Sequence, residues 1–163
     1  MPDTVDTAKV ARRSLRFETI EDAQAEINRI VAADRAGKLQ CKGNWTAGQV
    51  MGHVASWVNY SYDGYPLAPP PWFIRFILRR MVKKYVRNGM PAGRRIPGTE
   101  NGTYGVDVLS TADGAERLRR ALQRLASNEP AVHDSPAFGP MPVQDRVQLN
   151  LRHAELHLSF LQY

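Results

Sequence analysis

The sequence predicts an all-α protein, a four-helix bundle with one long crossover. Apolar residues recur at helical spacing in several separate runs, and capping signals open the first two of them. No stretch of any length alternates apolar and polar residues as a strand would. The chain has 163 residues, 43% hydrophobic and 23% charged, which is enough for a single domain over 1–163 with a real core.

Residues 1–18 read as a basic arm without periodicity. Thr19 then offers an N-cap, and Ile20, Ala23, Ile27, Ile30 and Val31 fall on one helical stripe up to about Asp34, with Gly37 as the stop. A short connector leads to Thr46-Ala47-Gly48-Gln49, where Thr46 as N-cap and Gln49 three residues on form a capping box. The second helix carries Val50, Val54, Trp57 and Ser61 inward and ends near Asp63-Gly64.

Segment 64–110 is the crossover. "YPLAPPPW" is a proline turn. From Trp72 to Arg87 an amphipathic helix follows, with Ile74, Ile77, Leu78, Met81, Val82 and Tyr85 on the arc expected to dock. Arg75, Arg79, Arg80, Lys83, Lys84 and Arg87 spread over the other arc. Residues 88–110, rich in Gly and Pro, read as a loop. The next helix spans Thr111–Ser127 with Leu118, Leu122 and Leu125 inward, and Pro142 opens a last helix expected to reach the C-terminus. Short connections make the first two bundle helices antiparallel, and likewise the last two. The long crossover leaves room for the middle two to run parallel.

The chain has four histidines. His153 and His157 are four apart on one face of the last helix, a pattern that serves either a polar seam or two ligands of a metal site. His53 lies about 10 Å below the upper end of the second helix; His157 and His153 lie about 9 and 15 Å below the same end if the two helices are antiparallel neighbours. Three imidazoles can then converge as a facial nitrogen set suited to zinc, nickel, copper or iron(II), with positions left for water or substrate. Glu155 falls about 200° round the helix from His153, away from that face. Gln49, Asn150, Trp57 and Phe160 are placed to support the ligands or line the pocket.

The run "NWTAGQVMGHVASW", together with the terminal "HAELHLSFL", resembles the DinB-like metal-binding superfamily. The likeness extends to "RRSLRFETIEDAQAE" and the "HDSPAFG" loop, and so to most of the chain. It implies an up-down-down-up bundle in which His53, His153 and His157 bind a divalent metal. Better-known members of that superfamily are metal-dependent thiol transferases, so a low-molecular-weight thiol is an expected small-molecule partner. The crossover helix is longer than in the simplest members, and in the "HDSPAFG" loop His133 is separated from the proline where the family pattern has them adjacent. His133, in a loop, reads as a solvent-facing or loop-pinning residue rather than a fourth ligand.

Other signatures are missing: no Walker loop, dinucleotide fingerprint or Gly-x-Ser-x-Gly elbow occurs. The lone Cys41 reads as an incidental thiol, and Trp45, Trp57 and Trp72 as core anchors or pocket wall. With no signal-peptide core and no membrane-spanning run, a cytoplasmic location is expected, and the Asn44 and Asn101 sequons read as chance. A net charge of +6 is concentrated in the crossover. The two leading functions are a metal-dependent enzyme acting on a thiol or water, and a non-catalytic bundle whose basic helix grips nucleic acid or an anionic membrane surface. Sequence-specific nucleic-acid reading is not expected, because no recognised motif accompanies the charge. A metal-stabilised homodimer is a third possibility.

Overall fold

The computed structural model describes residues 4–99, 102–127 and 129–163; the Asn101 sequon lies outside them. Five helices are present: α1 (Ile20–Arg35), α2 (Ala47–Asp63), α3 (Trp72–Asn88), α4 (Thr111–Ala126) and α5 (Val143–Leu158). The expected capping box forms at Thr46, and the expected N-cap at Thr19 is part of a capping box as well. Thr19 accepts from Asp22 N, Thr46 accepts from Gln49 N, and each third residue returns a bond to its cap.

α2 packs on α4 and α5, and α1 packs on the same two. The helices joined by short connections therefore face each other across the bundle. Directions follow from end-to-end contacts. Gly48 and Gly114 meet at the starts of α2 and α4, and Arg124 reaches Asp63 (2.8 Å) at their ends, so these helices are parallel. α1 and α5 are parallel as well: Gln148 donates to Glu18 O (3.3 Å) and the Tyr163 hydroxyl reaches Glu26 (3.1 Å). The result is up-down-down-up.

Glycine sets the closest approach. A Cβ on Gly48 would lie 2.1 Å from the Leu109 carbonyl oxygen, and one on Gly114 would lie 2.6 Å from the Gly48 oxygen. Both obstacles are backbone, so no side-chain adjustment relieves them. Around this contact, Ile27, Ile30, Met51, Val54, Leu118, Leu122, Leu151 and Leu158 fill the core.

The N-terminal arm lies against the bundle. Phe17 is buried in the core, Arg13 N donates to Ser159 O (3.0 Å), and the Asn44 carboxamide clamps both the N–H and C=O of Val5.

Two expectations need correction. The last helix stops at Leu158, and Leu161–Gln162 (β2) pairs antiparallel with Gln40–Cys41 (β1), a two-residue ladder too short to show as alternation. The docking arc of α3 is also narrower than its apolar arc. α3 packs on α5 and buries Val82, with Lys83 paired to Asp145 (2.8 Å) and Tyr85 edge-on to Phe138. Ile74 and Ile77 are exposed, and Trp72 is 79% exposed rather than a core anchor. The covered stripe runs through Leu78, Met81, Val82 and Tyr85, further along the helix.

Candidate metal centre

α2 and α5 run antiparallel side by side, and this brings the predicted histidines together. Ring centroids lie 4.5 Å apart for His53–His157 and His153–His157, and 5.1 Å for His53–His153. One nitrogen from each ring lies within 4.8 Å of the other two, so the three residues can hold a metal ion.

His53 is 1% exposed, and its Nδ1 lies 2.9 Å from the Tyr104 carbonyl oxygen. A carbonyl only accepts, so Nδ1 carries the proton and donates it. The lone pair is left on Nε2, the arrangement in which a histidine ligand is oriented by its other nitrogen. Burial lowers the His53 pKa to about 4, partly opposed by that hydrogen bond. His153 and His157 keep some exposure towards the cavity, yet the surrounding protein pushes both well below the usual imidazole range. The neighbouring imidazoles push further in the same direction, and for His157 the Arg12 guanidinium does too. All three are neutral bases at neutral pH, as metal ligation requires.

Aromatic rings hold the cluster in place. Trp45 stacks on His157 at 5.5 Å and 14°, and Trp57 stands edge-on to His53 and His153 at 6.1 and 5.9 Å. The histidines open onto a cavity of about 990 Å³ whose lining includes Gln49, Asn150, Trp57 and Phe160, the four residues expected there. Two of these have structural commitments: Gln49 Oε1 accepts from Thr46 N in the capping box, and Asn150 Nδ2 donates to Arg146 O. The cavity is also lined by Tyr65, whose hydroxyl is pushed up to about 12 by burial, and by Arg146. The indole N–H of Trp57 and Nε of Arg146 are buried without hydrogen-bond partners among the described residues.

Glu155 lies off this face, as its angular position requires, and accepts from Phe17 N at 2.6 Å. His133 is exposed at the cavity mouth, where its backbone N–H donates to Ser61 O (3.0 Å), so it pins the loop through its main chain. Cys41 is exposed in β1.

Two contributors escaped the sequence reading. Tyr104 acts through a carbonyl, which carries no side-chain signature; its one trace is the following Gly105. That residue has φ 74°, and a Cβ there would lie 2.6 Å from Ser56 Cβ. Trp45 was legible as pocket wall, but not as the ring stacked on His157.

A family model described as "Protein of unknown function (DUF1569)" matches residues 9–163. The chain belongs to this family. No curated protein and no solved structure matches it. In this DUF1569 member the match takes in the arm from Lys9 onward, all five helices and all three clustered histidines. No helix among the described residues is long and apolar enough to cross a membrane.

Proposed function

We propose that the protein is a DinB-like metal-dependent enzyme that takes one divalent transition ion on His53, His153 and His157. It would activate a small thiol or water for transfer or hydrolysis. The observation that carries this reading is the convergence of three neutral imidazoles, with no acidic partner among the described residues, on the wall of a large cavity. The donor set fits zinc, nickel or iron(II), since three neutral nitrogens leave room for further ligands. When bound, such an ion supplies Lewis acidity that favours the deprotonated form of a thiol or water near neutral pH.

The chain's own residues supply the rest. The Tyr104 carbonyl holds the proton on His53 Nδ1 and keeps Nε2 turned to the cluster. Trp45 and Trp57 limit ring rotation and exclude bulk water from one side. The Trp57 indole N–H and Arg146 Nε, both without a hydrogen-bond partner among the described residues, are donors able to orient an anionic group of a substrate. Depressed imidazole pKa values keep protons from competing for the ligand nitrogens.

The test uses tag-free protein. Elemental analysis after reconstitution with zinc, nickel or iron(II) should find about one ion per chain. His153→Ala should lose that uptake; unchanged uptake would refute the ligand assignment. Metal-loaded protein is then offered a panel of low-molecular-weight thiols with a chromogenic electrophile. Turnover that persists in metal-free His157→Ala protein would refute the mechanism. Metal uptake without turnover on any thiol would favour hydrolysis.

A further inference from the structure

The start of α3 presents an apolar surface that the fold leaves uncovered. Trp72 is 79% exposed, Phe73 52%, Phe76 56% and Ile77 59%. Trp72 and Phe76 are one turn apart, as are Phe73 and Ile77, so the four form one continuous patch. Trp72 and Phe73 also meet edge to face at 6.0 Å. Isolated exposed apolar residues are ordinary, but a contiguous aromatic patch marks an interaction site. The next two turns of the same outward face carry Arg79, Arg80, Lys84 and Arg87, all exposed, together with Lys83, which is paired to Asp145 of α5, and α3 itself contains no acidic residue. The Arg80 guanidinium lies 3.6 Å from the centre of the Phe76 ring, so charge and apolar surface are continuous.

We propose that α3 is an attachment site for an anionic bilayer surface. Trp72, Phe73, Phe76 and Ile77 would enter the boundary between headgroups and acyl chains, and the basic turns would lie against lipid phosphates. Charge complementarity selects this occupant. A second copy docked through the same face would bring two acid-free basic helices together, and nothing on α3 neutralises them. A nucleic acid would engage the cations but leave Ile77 without a role. A bilayer satisfies both halves, since Trp and Phe prefer the interface and cations beside it gain from the surface potential. The helix would lie on the membrane, being too short and too charged to span it.

The experiment is co-sedimentation of the full-length protein with vesicles of phosphatidylcholine and phosphatidylglycerol in equal parts, against vesicles of phosphatidylcholine alone. Binding is expected only with the anionic vesicles and should weaken with salt. Tryptophan emission should shift to the blue on binding, and Trp72→Phe should remove the shift, because Trp45 and Trp57 face the internal cavity. Trp72→Ser with Ile77→Ser should reduce partitioning on the order of tenfold. Arg80→Gln with Lys84→Gln should reduce it roughly thirtyfold, at about fivefold per cation. All of these positions are exposed, so helical content and metal uptake should stay unchanged in every variant. Equal binding to both vesicle types would overturn the proposal, as would binding to neither. So would a solution dimer that shields Trp72 from quencher without vesicles, or a single-stranded oligonucleotide that binds while anionic vesicles do not.

Discussion

α5 carries two buried polar clusters on opposite faces, and they are assembled differently. On one face, Arg152 is fully buried. Its guanidinium donates to Phe17 O and to Gln148 Oε1 (3.1 Å), and Nη1 lies 3.0 Å from Glu155 Oε1, an ion pair without hydrogen-bond alignment. Glu155 in turn accepts from Phe17 N. Acid, base and backbone pair with one another, although Arg152 Nε and Nη1 find no hydrogen-bond acceptor among the described residues, and the cluster ties the arm to the bundle. On the other face, His153 and His157 meet His53 next to a cavity, and among the described residues no acid joins the cluster. A buried cluster whose members complement one another is structural. A cluster of like, neutral imidazoles has no such complement of its own, and its free nitrogens can hold a cation.

The largest effect that separates them is on stability. Arg152→Ala removes one of the two cations beside Glu155, the other being Arg16, and takes from the Phe17 carbonyl the guanidinium that donates to it. Breaking a buried pair in this way costs about 3–5 kcal/mol. For a chain of this size that is a fall in Tm of roughly 6–20 °C. His157→Ala, measured without metal, should stay within about 1 kcal/mol of wild type, because it enlarges a cavity that already exists and leaves no charge unpaired. Similar losses in the two variants would mean that the histidine cluster is as structural as the arginine one.

Adding metal should close most of that gap. An ion that binds only the folded state at a thousand times its Kd stabilises by about 4 kcal/mol. Thermal unfolding with excess zinc should show that gain in wild type and in a destabilised Arg152→Ala protein alike, and not in His157→Ala. A zinc-induced shift that survives in His157→Ala would place the ion elsewhere.

Much of this contrast is legible in the sequence. The i, i+4 spacing of His153 and His157, the angular offset of Glu155 and the capping box that sets the depth of His53 are all local patterns, and local patterns dictate helix faces. What was not legible depends on chain segments distant in sequence. Gly48 reads as a weak helix residue until Leu109 and Gly114 arrive against it. Ile74 and Ile77 read as docking residues because periodicity shows which arc is apolar, not which part of that arc is covered. The β1–β2 ladder joins residues more than a hundred positions apart through two pairs, below any alternation signal.

Acid should also tell the clusters apart. The folded metal-free protein holds His53 at a pKa of about 4, against 6.5 as the ordinary value. The unfolded chain therefore binds a proton between those values that the folded one refuses. Stability is complete above about pH 6.5, falls as pH drops towards 4, and loses nothing further from this group below that. The loss from His53 alone is about 3 kcal/mol. His153 and His157, also depressed, act in the same direction, whereas burial raises the Glu155 pKa and opposes the loss. Urea midpoints of metal-free protein across this range should fall with acid, and less steeply in His53→Leu. Parallel curves for the two proteins would contradict the burial assigned to His53.

The smallest effect tests how finely the open cluster is tuned. Tyr104 orients His53 through its carbonyl, so replacing its side chain leaves that hydrogen bond in place. The backbone can be moved instead. Gly105, with φ 74°, brings the chain against α2 closely enough that a Cβ would meet Ser56 Cβ at 2.6 Å and the Tyr60 hydroxyl at 3.0 Å. Gly105→Ala therefore pushes the 104–105 peptide away from α2, lengthens the bond to His53 Nδ1 and frees the ring to turn. Loss of such an orienting contact lowers metal affinity by about 10–100-fold. A strained alanine also costs stability, so affinity should be measured by titration at a temperature where the variant is fully folded. Ser56→Gly in the Gly105→Ala background supplies the control, since it removes the atom of closest contact. If crowding at Ser56 is what displaces the Tyr104 carbonyl, the double variant recovers part of the lost affinity. If affinity is unchanged in Gly105→Ala, the Tyr104 carbonyl does not orient the ligand. The histidine cluster would then owe its geometry to Trp45 and Trp57 alone.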